Sequence, residues 1–404
     1  MPKISLKLDR IKGIYTFAAA IIGAGILALP VYLAEGGFWP GLLMIILVGI
    51  VCIFSALFIA ESFLRVKEDL HLPGLALKFL GRKGCILMFL GIFFCTYAAL
   101  TGYLSGGGQI IYDISGGEIP IGVGIFIYFL MGTLLIYFGI KAIKTASFYL
   151  FFIMIFLFLG LLGLTFSHLD FNAPSLTSWG ACPGMLGILM FAFGAHTLVP
   201  SLGKDMRRDP EGFKKICIWG VLIPLIFYGL WFAGVFFTVP YNGLGSENIT
   251  ALNTQTLLQA KAFGQPATIP LAHLIGRQVL ILGSFFALFS IFTSFIGFGL
   301  AGKDSLVDFL KGKVKKWLAV ALLSLPPLIF SLFHPTSFLG AIDIAGFYGD
   351  TIFMGVLPPL ILLRSRKIGE RIPEFTVPGG KTIPILVFLF YAFAMVYKTV
   401  SFFL

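Results

Sequence analysis

The chain is built from long apolar segments of about 20 residues, separated by short polar stretches. A helix of roughly 20 apolar residues spans the hydrocarbon core of a bilayer, where backbone polar groups must be satisfied within the helix. About eleven such segments are present. They lie near 13–34, 41–63, 85–112, 120–140, 146–167, 183–203, 214–239, 276–302, 317–333, 337–363 and 382–404. The sequence therefore predicts an all-α polytopic membrane protein with a single transmembrane domain over 1–404.

Charged residues are scarce. Hydrophobic residues make up 58% of the 404 positions and charged residues 12%, which is too few to cover a soluble domain. The net charge of +11 comes from short basic clusters between the apolar segments, a pattern that indicates membrane topology and not a nucleic-acid surface. The five cysteines lie in or at the ends of apolar segments without metal-like spacing, which disfavours zinc sites and disulfide frameworks.

The basic clusters also predict an orientation. With the N-terminus in the cytoplasm, nearly all of them fall on the cytoplasmic side, where Lys and Arg residues are retained. Lys261, Arg277 and Lys398 are the exceptions. We therefore expect a multi-pass protein of the plasma or inner membrane with its N-terminus inside, its C-terminus outside and an odd number of spans.

Two apolar segments are interrupted by small residues near their centres. Gly23-Ala24-Gly25 lies in the first segment and Gly194-Ala195-His196 in the sixth. Glycine permits the non-helical angles of a break, and two broken helices of opposite orientation are typical of inverted-repeat transporters. The pattern predicts a first repeat over 13–167, a second over 183–363 and an additional helix at 382–404. Taken alone, each motif is also explained by close helix packing through small residues.

Unwound backbone at membrane depth offers N–H and C=O groups to a ligand. The half-helix that follows Gly25 begins with free N–H groups, which favour an anion such as a carboxylate. His196 is costly at this depth, so it binds substrate, fixes the broken helix or carries a proton, or else bonds neighbouring backbone as a structural histidine. The predicted substrate contacts at the two breaks are Ile22, Gly23, Ala24, Gly25, Ile26, Phe191, Phe193, Gly194, Ala195 and His196.

Hydroxyls and carboxyls are the other polar candidates inside the apolar segments. Ser290, Thr293 and Ser294 lie within one turn and can face one way, either to bind a cation or to bond their own helix backbone. Asp343 and Asp350 are seven residues apart, which predicts one face of the tenth segment, and either could serve a proton relay or a gating hydrogen bond. Both carboxyls, together with His196, are proton-coupling candidates. A third carboxyl, Glu61, is expected at the membrane interface.

Three groups of residues together resemble a known family. They are Gly23-Ala24-Gly25-Ile26 with Leu29-Pro30, the stretch from Phe193 to Lys204 with Asp209-Pro210 after it, and Thr293-Ser294-Phe295-Ile296-Gly297. These motifs resemble the aromatic and hydroxy amino acid permeases, the tryptophan/tyrosine permease group of the amino acid/auxin permease superfamily, and the resemblance runs over most of the chain. It implies the leucine-transporter fold, with five plus five inverted helices and an eleventh, and transport of amino acids with protons or sodium.

The resemblance also implies site residues. In sodium-coupled relatives of this fold, hydroxyls of the eighth helix join backbone carbonyls of the first helix around Na+. The corresponding candidate Na+ site here is Ala19, Ile22, Ser290, Thr293 and Ser294. An aromatic residue of the third helix often borders the substrate in this fold, which implies Tyr97, and Phe298 completes the predicted substrate contacts.

The sequence thus predicts a symporter that imports a neutral amino acid, with aromatic amino acids among the candidates, by alternating access. It predicts no cofactor other than Na+ or H+ as coupling ion, and a monomer in the lipid bilayer. A membrane sensor that binds an amino acid without transporting it is an alternative. An intramembrane enzyme is disfavoured, because no nucleophile with its base and no metal-ligand cluster stands out.

Overall fold

The computed structural model describes residues 3–138, 140–171, 177–241, 254–310 and 314–403, and its regular secondary structure there is helical. The first half contains α1 (Lys3–Ile21), α2 (Gly25–Leu33), α3 (Phe38–Leu64), α4 (Leu72–Ile114), α5 (Ile121–Phe138) and α6 (Ile140–Phe166). The second half contains α7 (Leu186–Ala192), α8 (Val199–Met206), α9 (Pro210–Phe236), α10 (Leu257–Ala262), α11 (Thr268–Ile275), α12 (Arg277–Phe309), α13 (Lys316–Phe333), α14 (Phe338–Ile344), α15 (Leu357–Ile368) and α16 (Thr382–Ser401). Short 3-10 turns, Trp179–Met185 and His196–Leu198, precede α7 and α8.

The apolar segments become membrane-length helices at the predicted places. Within the described residues, nine helices are long and apolar enough to cross a bilayer, and a tenth span results if α1 and α2 form one bent crossing. The predicted fifth span corresponds to α6, of which Phe152–Phe166 qualifies as a shorter apolar helix. The polytopic all-helical fold is therefore confirmed, whereas the predicted number of eleven spans remains a prediction.

Both predicted interruptions are real breaks. The axes of α1 and α2 differ by 55° across Ile22–Ala24. In the sixth segment, α7 ends at Ala192, and non-helical residues 193–195 and a 3-10 turn precede α8. Each break leaves carbonyls and N–H groups without their usual intrahelical partners. The contacts that replace those partners define the centre of the molecule.

The tenth apolar segment contains a feature that its sequence does not predict. Between α14 and α15, residues Ala345–Val356 form a π-helix of 12 residues. Such helices have i→i+5 hydrogen bonds, rarely exceed a single turn and are frequent at functional sites. This one packs against α4, α7 and α16 and carries Asp350 near its middle.

Glu61 makes buried contacts that its sequence position does not predict. Its side chain is completely buried at the end of α3, where Oε1 accepts from Arg65 at 2.8 Å and Oε2 accepts from Arg366 at 2.8 Å. The N–H of Val377 donates to Oε2 at 2.7 Å as well. Because two guanidinium groups and a backbone N–H compensate the charge, the carboxylate joins α3 to the end of α15 inside the protein.

A second ion pair fixes α1 to the start of α9. The Arg10 guanidinium contacts the Asp209 carboxylate through two nitrogens, one of them at 2.7 Å. Asp209 also caps α9, since its Oδ1 accepts from the N–H of Gly212 at 3.0 Å. Burial disfavours the charged form of Asp209, but Arg10 outweighs this and holds the carboxyl pKa below its ordinary value of 3.8.

We expect Asp209→Asn to lower the melting temperature near neutral pH and to have little effect in acid. Asparagine still caps the helix but cannot pair with Arg10. Since the folded pKa is depressed, the stabilisation is present above the unfolded pKa and is lost as the pH falls through the folded pKa, below about 4. Thermal denaturation in detergent, followed by size exclusion, should show the two curves converging there. A difference that persists unchanged to pH 3 would contradict this assignment, while Asp209→Ala should cost about 1 kcal/mol more because the cap is lost too.

Candidate functional site

A cavity of about 200 Å³ lies where the two breaks meet α4 and α12. Its lining residues are Ala19, Ala20, Ile22, Gly23, Ile92, Cys95, Thr96, Gly194, Ala195, Thr197, Leu198, Thr293, Ser294, Gly297, Phe298, Ala301 and Phe353. These residues are small, apolar or hydroxyl-bearing, and no charged side chain is among them. We call the side of the membrane on which α1 begins the N-terminal side. Most lining residues belong to the helix halves that are nearer to this side. The cavity therefore suits an uncharged, largely apolar side chain.

Residues predicted to bind at the first break lie at the cavity wall or directly behind it. Ile22 and Gly23 line the cavity, whereas Ala24, Gly25 and Ile26 do not. The N–H of Ala24 donates to Ser294 Oγ at 3.1 Å, and the N–H of Ile26 donates to the Gly23 carbonyl at 3.3 Å. The Ile26 N–H, one of the groups beyond Gly25 that were expected to face a carboxylate, is therefore bonded within the chain in this structure.

The two breaks touch each other at Gly25. A Cβ at this position would lie 2.6 Å from Cα and 2.8 Å from Cβ of Ala192, closer than non-bonded carbon atoms approach in proteins. The glycine is required here because the backbone of α7 occupies the space of a side chain. Close packing and a binding site are therefore not alternatives at this motif, since the packing holds the two unwound segments side by side.

Tyr228 of α9 joins the breaks and was not found from the sequence. Its hydroxyl lies 2.7 Å from the Ile21 carbonyl of the first break and 2.7 Å from the Ala192 carbonyl of the second. A phenol has one proton, so it donates to one of these carbonyls at a time. The Ile21 carbonyl also accepts from the N–H of Gly23 at 2.8 Å. A tyrosine within an apolar segment gives no sequence signal for this role.

His196 lies behind the cavity. It is completely buried, and its Nε2 lies 3.1 Å from the Cys52 carbonyl of α3. Because a carbonyl only accepts, Nε2 carries the hydrogen, and Nδ1 has no partner among the described residues. The contact ties the second break to α3, as expected for a histidine that fixes the broken helix by bonding backbone. Phe193, also buried, packs edge-on against Tyr228.

Four of the five candidate Na+ residues meet at the cavity. Ala19, Ile22, Thr293 and Ser294 line it, while Ser290 is buried beside it with an unpartnered hydroxyl among the described residues. Thr293 Oγ1 donates to the Ser290 carbonyl at 3.1 Å, and Ser294 Oγ accepts from Ala24. Each hydroxyl oxygen keeps lone-pair capacity for a cation. Thr293 thus bonds its own helix backbone, as the alternative interpretation expected, whereas Ser294 contacts the first break.

An aromatic cluster closes the cavity on the side opposite the N-terminal side. Phe191 stacks on Phe298 with ring centroids 5.8 Å apart, and Tyr103 contacts both rings at 6.2 and 5.9 Å. Tyr97 is instead directed away from the cavity, because its hydroxyl donates to the Leu322 carbonyl of α13. On α4 the residues at the cavity are Ile92, Cys95 and Thr96, which the sequence did not single out.

The two carboxyls of the tenth segment both contact the sixth. Asp343 Oδ1 lies within 2.5 Å of the position of a Cβ on Gly187, and Asp350 Oδ1 within 3.0 Å of that on Gly194. This agrees with their predicted shared face, although their surroundings differ. Asp343 pairs with Lys398 of α16 at 2.9 Å, whereas Asp350 accepts from the Cys95 thiol at 3.6 Å.

The fold and the cavity together define a class, the multi-pass membrane transport proteins with paired broken helices. Comparison with known proteins then shows the family. Residues 8–398 match the model of the tryptophan/tyrosine permease family, and the chain belongs to this family. The resemblance noted in the sequence motifs is therefore confirmed. Members of the family are named as permeases or transport proteins, in agreement with the prediction that the chain is not an enzyme.

Relatives match the chain over nearly its whole length. A protein named tyrosine-specific transport system 1 from Haemophilus influenzae is 27% identical, covering 92% of this chain and 91% of the relative. The tryptophan-specific transport protein of Shigella flexneri is 27% identical, with 94% and 92% covered. Among solved structures, a manganese transporter of Eremococcus coleocola superposes with a TM-score of 0.63 at 16% identity, covering 96% of this chain and 86% of that one. That likeness shows the fold alone, which is of the leucine-transporter type.

Proposed function

We propose that the protein is a secondary active transporter that imports a neutral aromatic amino acid together with Na+ or H+. The observation that carries the proposal is one cavity walled by both broken segments and by α12. Alternating access then requires that ligand and ion bind one of two states more tightly, because only differential affinity shifts a conformational equilibrium. The distribution of basic residues supports a cytoplasmic N-terminus.

The character of the cavity supports the substrate class. Its polar side chains are the hydroxyls of Thr96, Thr197, Thr293 and Ser294 and the thiol of Cys95, so a charged side chain would find no counter-charge on the described lining residues. Phe298 offers a ring face, and an aromatic pair contributes about 0.5–1.5 kcal/mol beyond area burial. The relatives named for tyrosine and tryptophan transport point the same way.

The structure is also consistent with a state closed on the side opposite the N-terminal side. Besides the aromatic cluster, the α10 to α11 region covers α2: the N–H of Ala267 donates to the Leu27 carbonyl at 3.0 Å, and Lys261 pairs with Glu35 at 2.5 Å. Substrate entering from that side has to displace these contacts. We propose that their opening and closing is one half of the transport cycle.

Uptake by purified protein in proteoliposomes tests the proposal. We expect accumulation of tryptophan, tyrosine or both against a gradient when an inward Na+ or H+ gradient is imposed, and no accumulation without one. Absence of gradient-driven uptake for all twenty amino acids would contradict the proposal. Saturable binding without flux would favour the sensor alternative.

Varying the two gradients separately identifies the ion. If Na+ is coupled, Thr293→Ala should abolish Na+ dependence, since it removes an oxygen that faces the first break. If H+ is coupled, the same variant should keep its dependence on the pH gradient. Thr197→Ala, which removes a lining hydroxyl from the second broken segment, is the matched control and should leave the ion dependence unaltered in either case.

A further inference from the structure

Asp350 is a buried carboxyl without a counter-charge. Its side chain is completely inaccessible, Oδ1 accepts the Cys95 thiol at 3.6 Å, and Oδ2 has no partner among the described residues. It lies in the middle of the π-helix and against the second break, with Oδ1 3.0 Å from the position of a Cβ on Gly194. A carboxylate in such surroundings is strongly disfavoured relative to the neutral acid.

The titratable groups that act on Asp350 are all neutral ones near physiological pH. They are the thiol of Cys95 and the phenol of Tyr103 on α4, the thiol of Cys52 on α3 and the phenol of Tyr391 on α16. On the sixth segment, His196 faces the Cys52 carbonyl instead. Lys398 of α16 is engaged by Asp343. Asp350 therefore has no cationic side chain in hydrogen-bond contact within the described part of the chain.

Asp343 provides a comparison with Asp350 within the same protein. It lies seven residues earlier in the same segment and also contacts the sixth segment, but the Lys398 ammonium compensates its charge at 2.9 Å. The ammonium favours the charged form of Asp343 and joins α14 to α16. Of the two carboxyls, Asp350 is the one whose charge no described side chain compensates.

Asp350 is separated from the cavity by a single layer of residues. Cys95 and Gly194, which both lie against Asp350, are lining residues of the cavity. A small displacement of the unwound residues 193–195 therefore admits cavity water to the carboxyl. The π-helix supports this role, because such segments lack the regular α-helical ladder and occur at functional sites.

We propose that Asp350 carries the coupling proton of this transporter and exchanges it with the cavity through the gap between Cys95 and Gly194. Hydronium in water on one side of the membrane transfers its proton to the carboxylate, leaving water and a neutral acid. In the other state the acid releases that proton to cavity water and becomes a carboxylate again. The proposal rests on the transport function proposed above and assigns its coupling ion as H+.

The test compares proton-driven accumulation with substrate exchange (counterflow) in proteoliposomes. The probe is labelled tryptophan or tyrosine, whichever the wild type accumulates. Asp350→Asn imitates the permanently protonated acid. We expect it to keep counterflow of the labelled amino acid within about threefold of wild type while losing accumulation driven by a pH gradient. Substrate-induced proton entry, read from a pH dye inside the vesicles, should fall at least tenfold. Asp350→Glu should retain coupling with a shifted pH profile, and Asp343→Asn should retain proton entry.

Proton-driven accumulation that survives in Asp350→Asn overturns the proposal. Loss of proton entry in Asp343→Asn, with proton entry retained in Asp350→Asn, overturns it as well. Wild-type uptake that depends on Na+ and ignores pH overturns it too, yet leaves the transport function standing. Absence of any counterflow in wild type would instead contradict the proposed function. Should Asp350→Asn not fold, infrared difference spectra of wild type and Asp350→Glu decide. A carboxylic acid carbonyl band that changes on substrate binding and moves in frequency in Asp350→Glu supports the assignment, and the absence of such a band refutes it.

Discussion

Replacing Tyr228 by phenylalanine is expected to reduce uptake of the transported amino acid by roughly 5- to 150-fold while the protein remains folded. The substitution removes the hydroxyl that lies 2.7 Å from the carbonyls of both Ile21 and Ala192. A buried acceptor that loses its donor costs about 1–3 kcal/mol, which corresponds to that range of rates or affinities. The Ala192 carbonyl is affected most, because Ile21 keeps the N–H of Gly23 as a donor.

Tyr128→Phe is the matched control for this variant. Tyr128 is equally buried, but its hydroxyl donates at 3.3 Å to a single carbonyl, that of Leu288. We expect its uptake to stay within about threefold of wild type, since the Leu288 carbonyl lies inside α12 and keeps its intrahelical N–H donor. Initial rates in proteoliposomes, normalised to reconstituted protein, measure both variants. Equal rates for Tyr228→Phe and wild type would show that the shared hydroxyl has no part in transport.

Gly25→Ala is expected to abolish measurable uptake or to lower it at least tenfold. The new methyl group would lie 2.6 Å from Cα of Ala192, so backbone has to move, not a flexible side chain. Overpacking of this kind typically costs about 1–3 kcal/mol. Here the displaced backbone also carries the Ala192 carbonyl that Tyr228 contacts. The movement therefore separates the two breaks and opens their shared wall.

Two variants check the cause of this loss. Gly163→Ala adds a methyl group where no atom lies within 4 Å, and it should leave uptake unchanged. Combining Gly25→Ala with Ala192→Gly removes the side-chain carbon at 2.8 Å but leaves the backbone of α7 in place, so partial recovery is expected. The same uptake assay applies, with melting temperature as a check on folding. Wild-type activity in Gly25→Ala alone would rule out the close approach as a requirement.

These two positions lie on opposite sides of the same contact. Gly25 sets how closely the first broken segment approaches the second, and Tyr228 bonds the carbonyls exposed by both breaks. Binding at the cavity has to act on this pair of unwound segments to change the state of the transporter. We expect both variants to weaken the mechanical coupling between the two broken segments.

Much of the fold could be predicted from the sequence because hydrophobic length is a local property. The segment predicted at 120–140 is α5, Ile121–Phe138, and the one at 317–333 is α13, Lys316–Phe333. Both breaks were also predicted correctly, since glycine permits the non-helical angles of a break. Glycine alone does not cause one, because Gly106, Gly107 and Gly108 lie within the helix α4. The partner of Glu61 could not be predicted, because its position at the end of α3 says nothing about Arg366, 305 residues away in sequence.

The candidate site was predicted in outline and not in its contacts. Ile22, Gly23, Gly194 and Ala195 line the cavity, together with Thr293, Ser294 and Phe298. Tyr97 bonds α13 instead, and His196 bonds α3. Tyr228 could not be found, because a lone tyrosine in an apolar helix has the same local sequence signal whether it faces lipid or two carbonyls.

The sequence by itself determined the order and approximate limits of most apolar helices, the two interruptions and the family motifs, since all of these depend on neighbouring residues. Only the tertiary structure decided which polar groups meet. Ser294 reaches Ala24 across 270 residues, and Asp343 pairs with Lys398, whereas Asp350 has no cationic partner among the described residues. The reason is that a buried polar group needs hydrogen-bonding or charged partners from other helices. The packing of the whole bundle sets the register of those helices, and with it which partners are within reach.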